Sequence, residues 1–220
     1  WGYFTMIKMP AKSHTGPLST LSPEQINLRD KMKNDLAILA GQIGERNVFR
    51  YEKLMAAADF IEKALTDAGY SPKRQNYEVE EKTCSNIEVE LPGAKNPEKI
   101  VIVGAHYDSA YSSPGANDNG SGVVAVLALA RRFSNIRTDQ TLRFVLFVNE
   151  EPPYFHTDKM GSMVYAARCR ENNENITAMI CLETIGYYSD NPNSQKYPFP
   201  FNLIYPDRKS TRLNSSHRIR

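Results

Sequence analysis

Ile100-Val-Ile-Val-Gly-Ala105 runs directly into His106-Tyr-Asp-Ser109, and Gly115-Ala-Asn-Asp-Asn-Gly-Ser-Gly122 follows a few residues later. The apolar run is continuous rather than alternating, which is the pattern of a strand covered on both faces in a parallel sheet. An imidazole and two carboxylates therefore stand just past the carboxyl end of a buried strand. In open α/β sheets that is where ligands gather.

Two further segments repeat the arrangement. Thr141-Leu-Arg-Phe-Val-Leu-Phe-Val148 ends in Asn149-Glu150-Glu151, and Ile176-Thr-Ala-Met-Ile-Cys-Leu182 ends in Glu183. Three strand ends then deliver His106, Asp108, Asp118, Glu150, Glu151 and Glu183. The expected fold is α/β, with a mixed, mainly parallel sheet sandwiched by helices.

Working back from these strands, Lys73 to Leu91 reads as a pair of alternating strands that belong near a sheet edge. Ser22-Pro-Glu-Gln25 carries the signature of a capping box with proline in the first turn. It predicts a helix running to Gly41 or Gly44, with Ile26, Met32, Leu36, Leu39 and Ile43 on one face. Leu54, Ala58, Ile61 and Leu65 predict a second helix over Glu52–Ala68, closed by Gly69. Val123 to Ala130 is apolar all round and predicts a buried helix from Ser121 to Phe133. A further helix is expected over Lys159–Arg170. Tyr197, Phe199, Phe201 and Tyr205 lie in a Pro/Tyr-rich loop after Glu183 and suit either a pocket lining or a cover for the sheet.

Carboxylates at the ends of buried strands need partners, and a metal ion supplies one. Zinc takes imidazole nitrogen and carboxylate oxygen and keeps an open position in catalytic sites. Paired ions clamp the attacking and leaving oxygens of a displacement. His106 and Glu183 suit one ion, Asp118 a bridge and Glu151 a second ion. Neighbours on an extended backbone point to opposite sides, so Glu150 is left unligated, as a base that takes a proton from water and returns it to a leaving group. Asp108 shares a face with His106 and is placed to hold its tautomer. The glycine-rich stretch does not have the dinucleotide-binding spacing.

Taken together, Gly-Ala-His106-Tyr-Asp108-Ser, Gly-Ala-Asn-Asp118-Asn-Gly-Ser-Gly, Asn-Glu150-Glu151, Met160-Gly-Ser and Leu-Glu183-Thr-Ile-Gly-Tyr-Tyr resemble the M28 family of zinc aminopeptidases and carboxypeptidases. The resemblance extends from about Ile43 to Pro206. It implies a two-zinc exopeptidase acting on peptides, most readily an aminopeptidase. In it Glu150 is the general base, Asp118 the bridge, and His106, Glu151 and Glu183 are ligands. Many members carry Asp where this chain has Glu183. The family's last ligand is a histidine further downstream, and the only later histidine here is His217. Two other readings share the scaffold: a glutaminyl-cyclase-like single-zinc transferase, and a non-catalytic binding domain. Most family members act outside the cytoplasm, so an extracytoplasmic protein is expected, whether periplasmic, secreted or membrane-anchored.

Composition narrows the remaining classes. The 220 residues suffice for one domain with a substantial core. Net charge is +2, but Arg208, Lys209, Arg212, Arg218 and Arg220 sit in the last fourteen residues with Asp207. Without that segment acids exceed bases by two, so the basic balance gives no reason to expect nucleic acid. Cys84, Cys169 and Cys181 have no zinc spacing and form no disulfide framework; Cys181, in an apolar strand, is expected in the core. Residues 1–21 read as a linker. Their Trp/Tyr/Phe start followed by Lys8 and Lys12 fits the end of a membrane anchor or signal segment as well as it fits a loose arm. Residues 22–206 are expected to form the peptidase-like domain, incomplete at its C-terminus. Residues 207–220 read as a non-native tail resembling a translated sequencing adapter.

Overall fold

The structure is a computed structural model; it describes residues 19–187. The aromatic segment from Tyr197 to Tyr205, the first eighteen residues, the tail and His217 lie outside the described residues.

The chain enters through helix α1 (Pro23–Leu36). Ser22 caps it by accepting the Gln25 amide at 3.2 Å, while the Gln25 side chain takes the Ser22 amide at 2.8 Å. The helix continues into a π-type turn, Ala37–Ile43. The expected apolar face reaches the core at its C-terminal end, where Leu39 is fully buried and Ile43 packs against the core cluster. Ile26 and Leu28 are 40% and 49% exposed; the buried residue of α1 is Asp35, which receives Arg131 of a later helix at 2.5 Å. A partly buried ion pair and the apolar contacts of Leu39 and Ile43 together dock this element.

A short 3₁₀ turn, Val48–Arg50, leads into α2 (Tyr51–Asp67). Its buried stripe of Leu54, Ala58, Ile61 and Leu65 matches the helical period. Strands β1 (Lys73–Val79) and β2 (Lys82–Leu91) then form an antiparallel hairpin. Glu80 and Glu81, at φ +49° and +59°, make a two-residue turn of the left-handed kind that matches strand twist. Next come β3 (Asn96–His106), α3 (Gly122–Phe133), β4 (Gln140–Phe147), α4 (Gly161–Glu171) and β5 (Asn175–Cys181).

The described sheet has the order β1-β2-β4-β3-β5. β3 pairs in parallel with both β4 and β5, and β2 joins β4 antiparallel. The sheet is mixed, as expected, and its parallel half carries the strand ends of interest. Along β3 and β4 side chains alternate between two cores. Val103, Ala105, Phe144 and Leu146 meet α2 and α3, while Ile100, Ile102, Val145 and Phe147 meet Tyr165 and Cys169 of α4. Burial on both faces explains the unbroken apolar runs. β1 lies at the edge, where its alternation placed it.

One expectation fails here. Cys181 is exposed, not core. β5 is the outermost described strand, and apart from Ile176, packed against the α4 cluster, its side chains stay accessible. An apolar run alone does not say whether both faces will be covered.

Two contacts fix the exit of β4. Asn86 of β2 is fully buried; its Oδ1 accepts the Val148 amide at 3.1 Å and its Nδ2 donates to the Gly161 carbonyl at 2.8 Å. The Gly161 amide in turn donates to the Val148 carbonyl at 2.8 Å. A Cβ at Gly161 would stand 2.3 Å from that carbonyl oxygen and 2.4 Å from Asn86 Oδ1. This close approach is why glycine follows Met160. Gly161→Ala should therefore lower unfolding free energy by about 1–3 kcal/mol, read as a fall in the urea midpoint at unchanged m-value. A midpoint equal to the parent's would show that α4 does not press on β4 here.

Candidate metal centre

His106 is the last residue of β3 and is 3% exposed. Strand alternation sends Tyr107 the other way, where its hydroxyl donates to the Ser85 carbonyl at 2.8 Å. Asp108 returns to the side of His106 and is 2% exposed, with Oδ1 3.4 Å from His106 Nδ1. The same carboxylate accepts the amides of Glu150 at 3.1 Å and Glu151 at 3.0 Å. Asp108 thus ties the ends of β3 and β4 together as well as facing the imidazole.

The two glutamates do not point to opposite sides as an extended backbone would make them. The strand ends at Phe147, and Asn149 takes φ +59° in a buried position. Asparagine tolerates that left-handed geometry better than most residues; its Nδ2 donates to the Tyr77 hydroxyl at 3.2 Å. The bend turns two successive amides onto Asp108 and brings both carboxylates to the imidazole. Glu150 Oε2 lies 3.6 Å from His106 Nε2. Glu151 is buried and forms with His106 and Asp118 a trio whose donor atoms lie within 4.8 Å of one another.

Asp118 comes from the turn Ala116–Ser121, at a kink where it and Asn119 leave helical backbone. Its Oδ1 is 3.2 Å from His106 Nε2. Glu183, two residues past β5, places Oε2 3.4 Å from the same nitrogen. The structure therefore gathers the five carboxylates read from the sequence around the His106 imidazole.

Reading the sequence for charges and imidazoles passes over the groups that join these parts. Asn119 is fully buried; its Nδ2 donates to the Leu182 carbonyl at 2.8 Å and to Glu183 Oε2 at 3.0 Å. Its Oδ1 accepts the amides of Gly122 and Thr184. Beside it, Ser121 Oγ accepts the Ile185 amide at 3.0 Å and Asn117 Oδ1 the Gly186 amide at 2.9 Å. Three successive amides after β5 are thus captured by three alternate side chains of the Asp118 turn. The only signal in the sequence was the density of Asn and Ser between glycines.

The donor set fits a divalent cation. Neither ring nitrogen of His106 makes a hydrogen bond although both are buried, and Glu151 Oε1 is likewise a buried acceptor without one. Such groups are costly when left so. Imidazole with carboxylates is a zinc-type set. His106, Asp118, Glu151 and Glu183 would hold the metal; Glu150, about a quarter exposed, faces the same space.

The crowding moves the acid–base equilibria. Burial is the main reason that Glu150 and Glu151 are each pushed up to about 7. Asp108, Glu151 and Glu183 add to the effect at Glu150, and Asp118 adds to it at Glu151. At His106 burial disfavours the cation, but Asp108, Asp118 and Glu183 outweigh it and hold the imidazole well above its ordinary pKa. A carboxyl raised to about 7 from 4.5 binds extra protons in the folded state, so stability falls as pH rises through that window. The raised His106 acts in the same direction, since its contribution is lost as pH passes its folded value. Metal binding displaces these protons. The rise in Tm on adding saturating zinc should therefore grow between about pH 5.5 and about pH 8; a shift that is flat or shrinks over that range would contradict a metal at these residues.

The profile of peptidase family M28 matches residues 86–212. The uncharacterized protein YfbL of Escherichia coli is 34% identical over 196 residues, covering 85% of this chain and 57% of its own length. The aminopeptidase YwaD of Bacillus subtilis is 51% identical over 57 residues, 26% of this chain and 12% of its own. The chain thus spans little more than half of YfbL and a small part of YwaD. Among solved structures, a zinc aminopeptidase from Bacillus subtilis superposes with a TM-score of 0.64 at 15% identity, over 71% of this chain and 69% of that one. A glutaminyl cyclase from Porphyromonas gingivalis gives 0.61 at 21% identity, over 73% and 60%. The family profile covers more than half of the chain, and the chain belongs to peptidase family M28.

Proposed function

We propose that the protein is a zinc-dependent exopeptidase, most specifically an aminopeptidase, whose catalytic domain includes residues 22–206. The observation that carries this reading is the convergence of Asp118, Glu150 and Glu183 within 3.2–3.6 Å of His106 Nε2. In the proposed site His106, Asp118 and Glu183 would hold one zinc, and Asp118 and Glu151 a second. Bound zinc would supply polarisation of the scissile carbonyl and a more acidic water. Glu150 would accept the proton of the attacking water and return it to the leaving amine. Its carboxyl is raised to about 7 in the metal-free protein, and zinc nearby would favour the carboxylate form that accepts a proton. Asp108 would orient the imidazole while fixing the backbone that presents Glu150 and Glu151.

We further propose that the protein acts outside the cytoplasm, in line with the expectation from its family. Among the described residues no helix is long and apolar enough to cross a membrane.

A second reading has its own support. His106, Asp118 and Glu151 form one compact trio suited to a single ion, and glutaminyl cyclases are among the structural neighbours. A cyclase would turn an N-terminal glutamine into a cyclic product without releasing an amino acid. Supplying a peptide with N-terminal glutamine and one with N-terminal leucine separates the two: the peptidase reading expects free amino acid, and cyclic product alone would overturn it.

Glu150→Gln keeps the shape of the side chain but removes the base. Turnover should drop by about 10²–10⁴-fold while zinc content by elemental analysis stays at the parent level. Full turnover in this variant would remove Glu150 from its role. Loss of zinc together with turnover would make it a ligand instead.

A further inference from the structure

Arg46 is fully buried although it lies in no motif. Its guanidinium is spent on main-chain carbonyls. Nε donates to Tyr107 at 2.6 Å, Nη1 to Gly44 at 3.1 Å and Pro114 at 2.6 Å, and Nη2 to Gly115 at 2.9 Å. Its own amide donates to Ser109 Oγ at 3.1 Å, and its carbonyl accepts the Ser109 amide at 2.9 Å. Next to it, Asn47 Nδ2 donates to the Ser109 carbonyl at 3.1 Å.

All of these contacts except Gly44 fall on the loop between Asp108 and Asp118 or on Tyr107 beside it. The loop is wrapped tightly around the guanidinium. Gly115 takes φ +57°, and a Cβ there would stand 2.5 Å from Ser109 Cβ, 2.7 Å from the Asp118 carbonyl and 3.1 Å from Arg46 Nη2. The planar fork of an arginine reaches several acceptors in fixed directions; a lysine ammonium is a point donor on a flexible stem and cannot. Burial pulls Arg46 down to about 10, opposed by Asp108, Asp118 and Glu151, so it remains a cation beside the acid cluster at neutral pH.

We propose that Arg46 is a positioning residue of the metal centre: by holding the carbonyls of Tyr107, Pro114 and Gly115 it sets where Asp108 and Asp118 stand relative to His106, and thereby the affinity for zinc. This rests on the zinc-site reading above. It assigns to Arg46 a role in ligand geometry that is distinct from support of the fold. Groups that orient metal ligands typically contribute about 10- to 100-fold in metal affinity.

The test uses the full-length protein, metal-stripped, as the parent, Arg46→Lys and Ser109→Ala. Zinc affinity is measured by competition with a chromogenic chelator, and the Co²⁺ derivative is followed by its d–d absorption bands, which report ligand geometry rather than stability. Circular dichroism and thermal melts identify the folded variants. Arg46→Lys should bind zinc about 10- to 100-fold more weakly with altered Co²⁺ bands, and Ser109→Ala should move both in the same direction by less. A folded Arg46→Lys with parental affinity and spectrum would overturn the proposal and leave Arg46 a purely structural residue. Should Arg46→Lys not fold, Ser109→Ala decides by the same criterion. A parent protein that binds no zinc would instead take down the site reading, and Arg46's role with it.

Discussion

A single buried carboxylate joins the parts of the site. Asp108 accepts two amides from the residues after β4 while its Oδ1 faces the imidazole that ends β3. Hydrogen bonds to an ionised acceptor contribute about 1.5–3 kcal/mol each, so the link is strong for its size. It requires β3 and β4 to be adjacent, parallel and level at their carboxyl ends, which their register provides by pairing His106 with Phe147. Parallel neighbours need a long crossover, and the buried helix α3 supplies it. That crossover includes the Asp118 turn, so the connection that makes the sheet parallel also brings the Asp118 carboxylate to its end.

The same geometry concentrates acids at a cost. Glu150 and Glu151 rise to about 7 because they are buried beside other carboxylates. The surrounding groups hold the cluster in place against its own repulsion. Asn119 ties Glu183 to the Asp118 turn, and the amides of Thr184, Ile185 and Gly186 are captured by Asn119, Ser121 and Asn117. Arg46 binds the other side of the turn through Gly115. A metal ion would relieve the crowding, and sites that sacrifice stability for chemistry commonly have this form.

What the amino-acid order determined on its own were the periods and the charges. Unbroken apolar runs at 100–105 and 144–148 required two covered faces, the helical stripe of α2 required one, and the acids after each strand marked the site end. The limits of that reading were also physical. Ile26 belongs to the expected apolar face of α1 yet is exposed, and a polar Arg131–Asp35 pair joins Leu39 in docking the segment. The run containing Cys181 is apolar, yet it lies in the outermost described strand and is exposed.

Tertiary structure alone decided which groups serve the charged ones. Asn149 looks like any polar residue until its left-handed backbone turns Glu150 and Glu151 the same way. Arg46 precedes Asp108 by more than sixty positions, and Asn119 precedes Glu183 by 64; neither has a local period or spacing that announces its partner. Ligand types are a property of side-chain chemistry and so can be read along the chain. Their orientation depends on hydrogen bonds between segments distant in sequence, which exist only once the three strand ends have met.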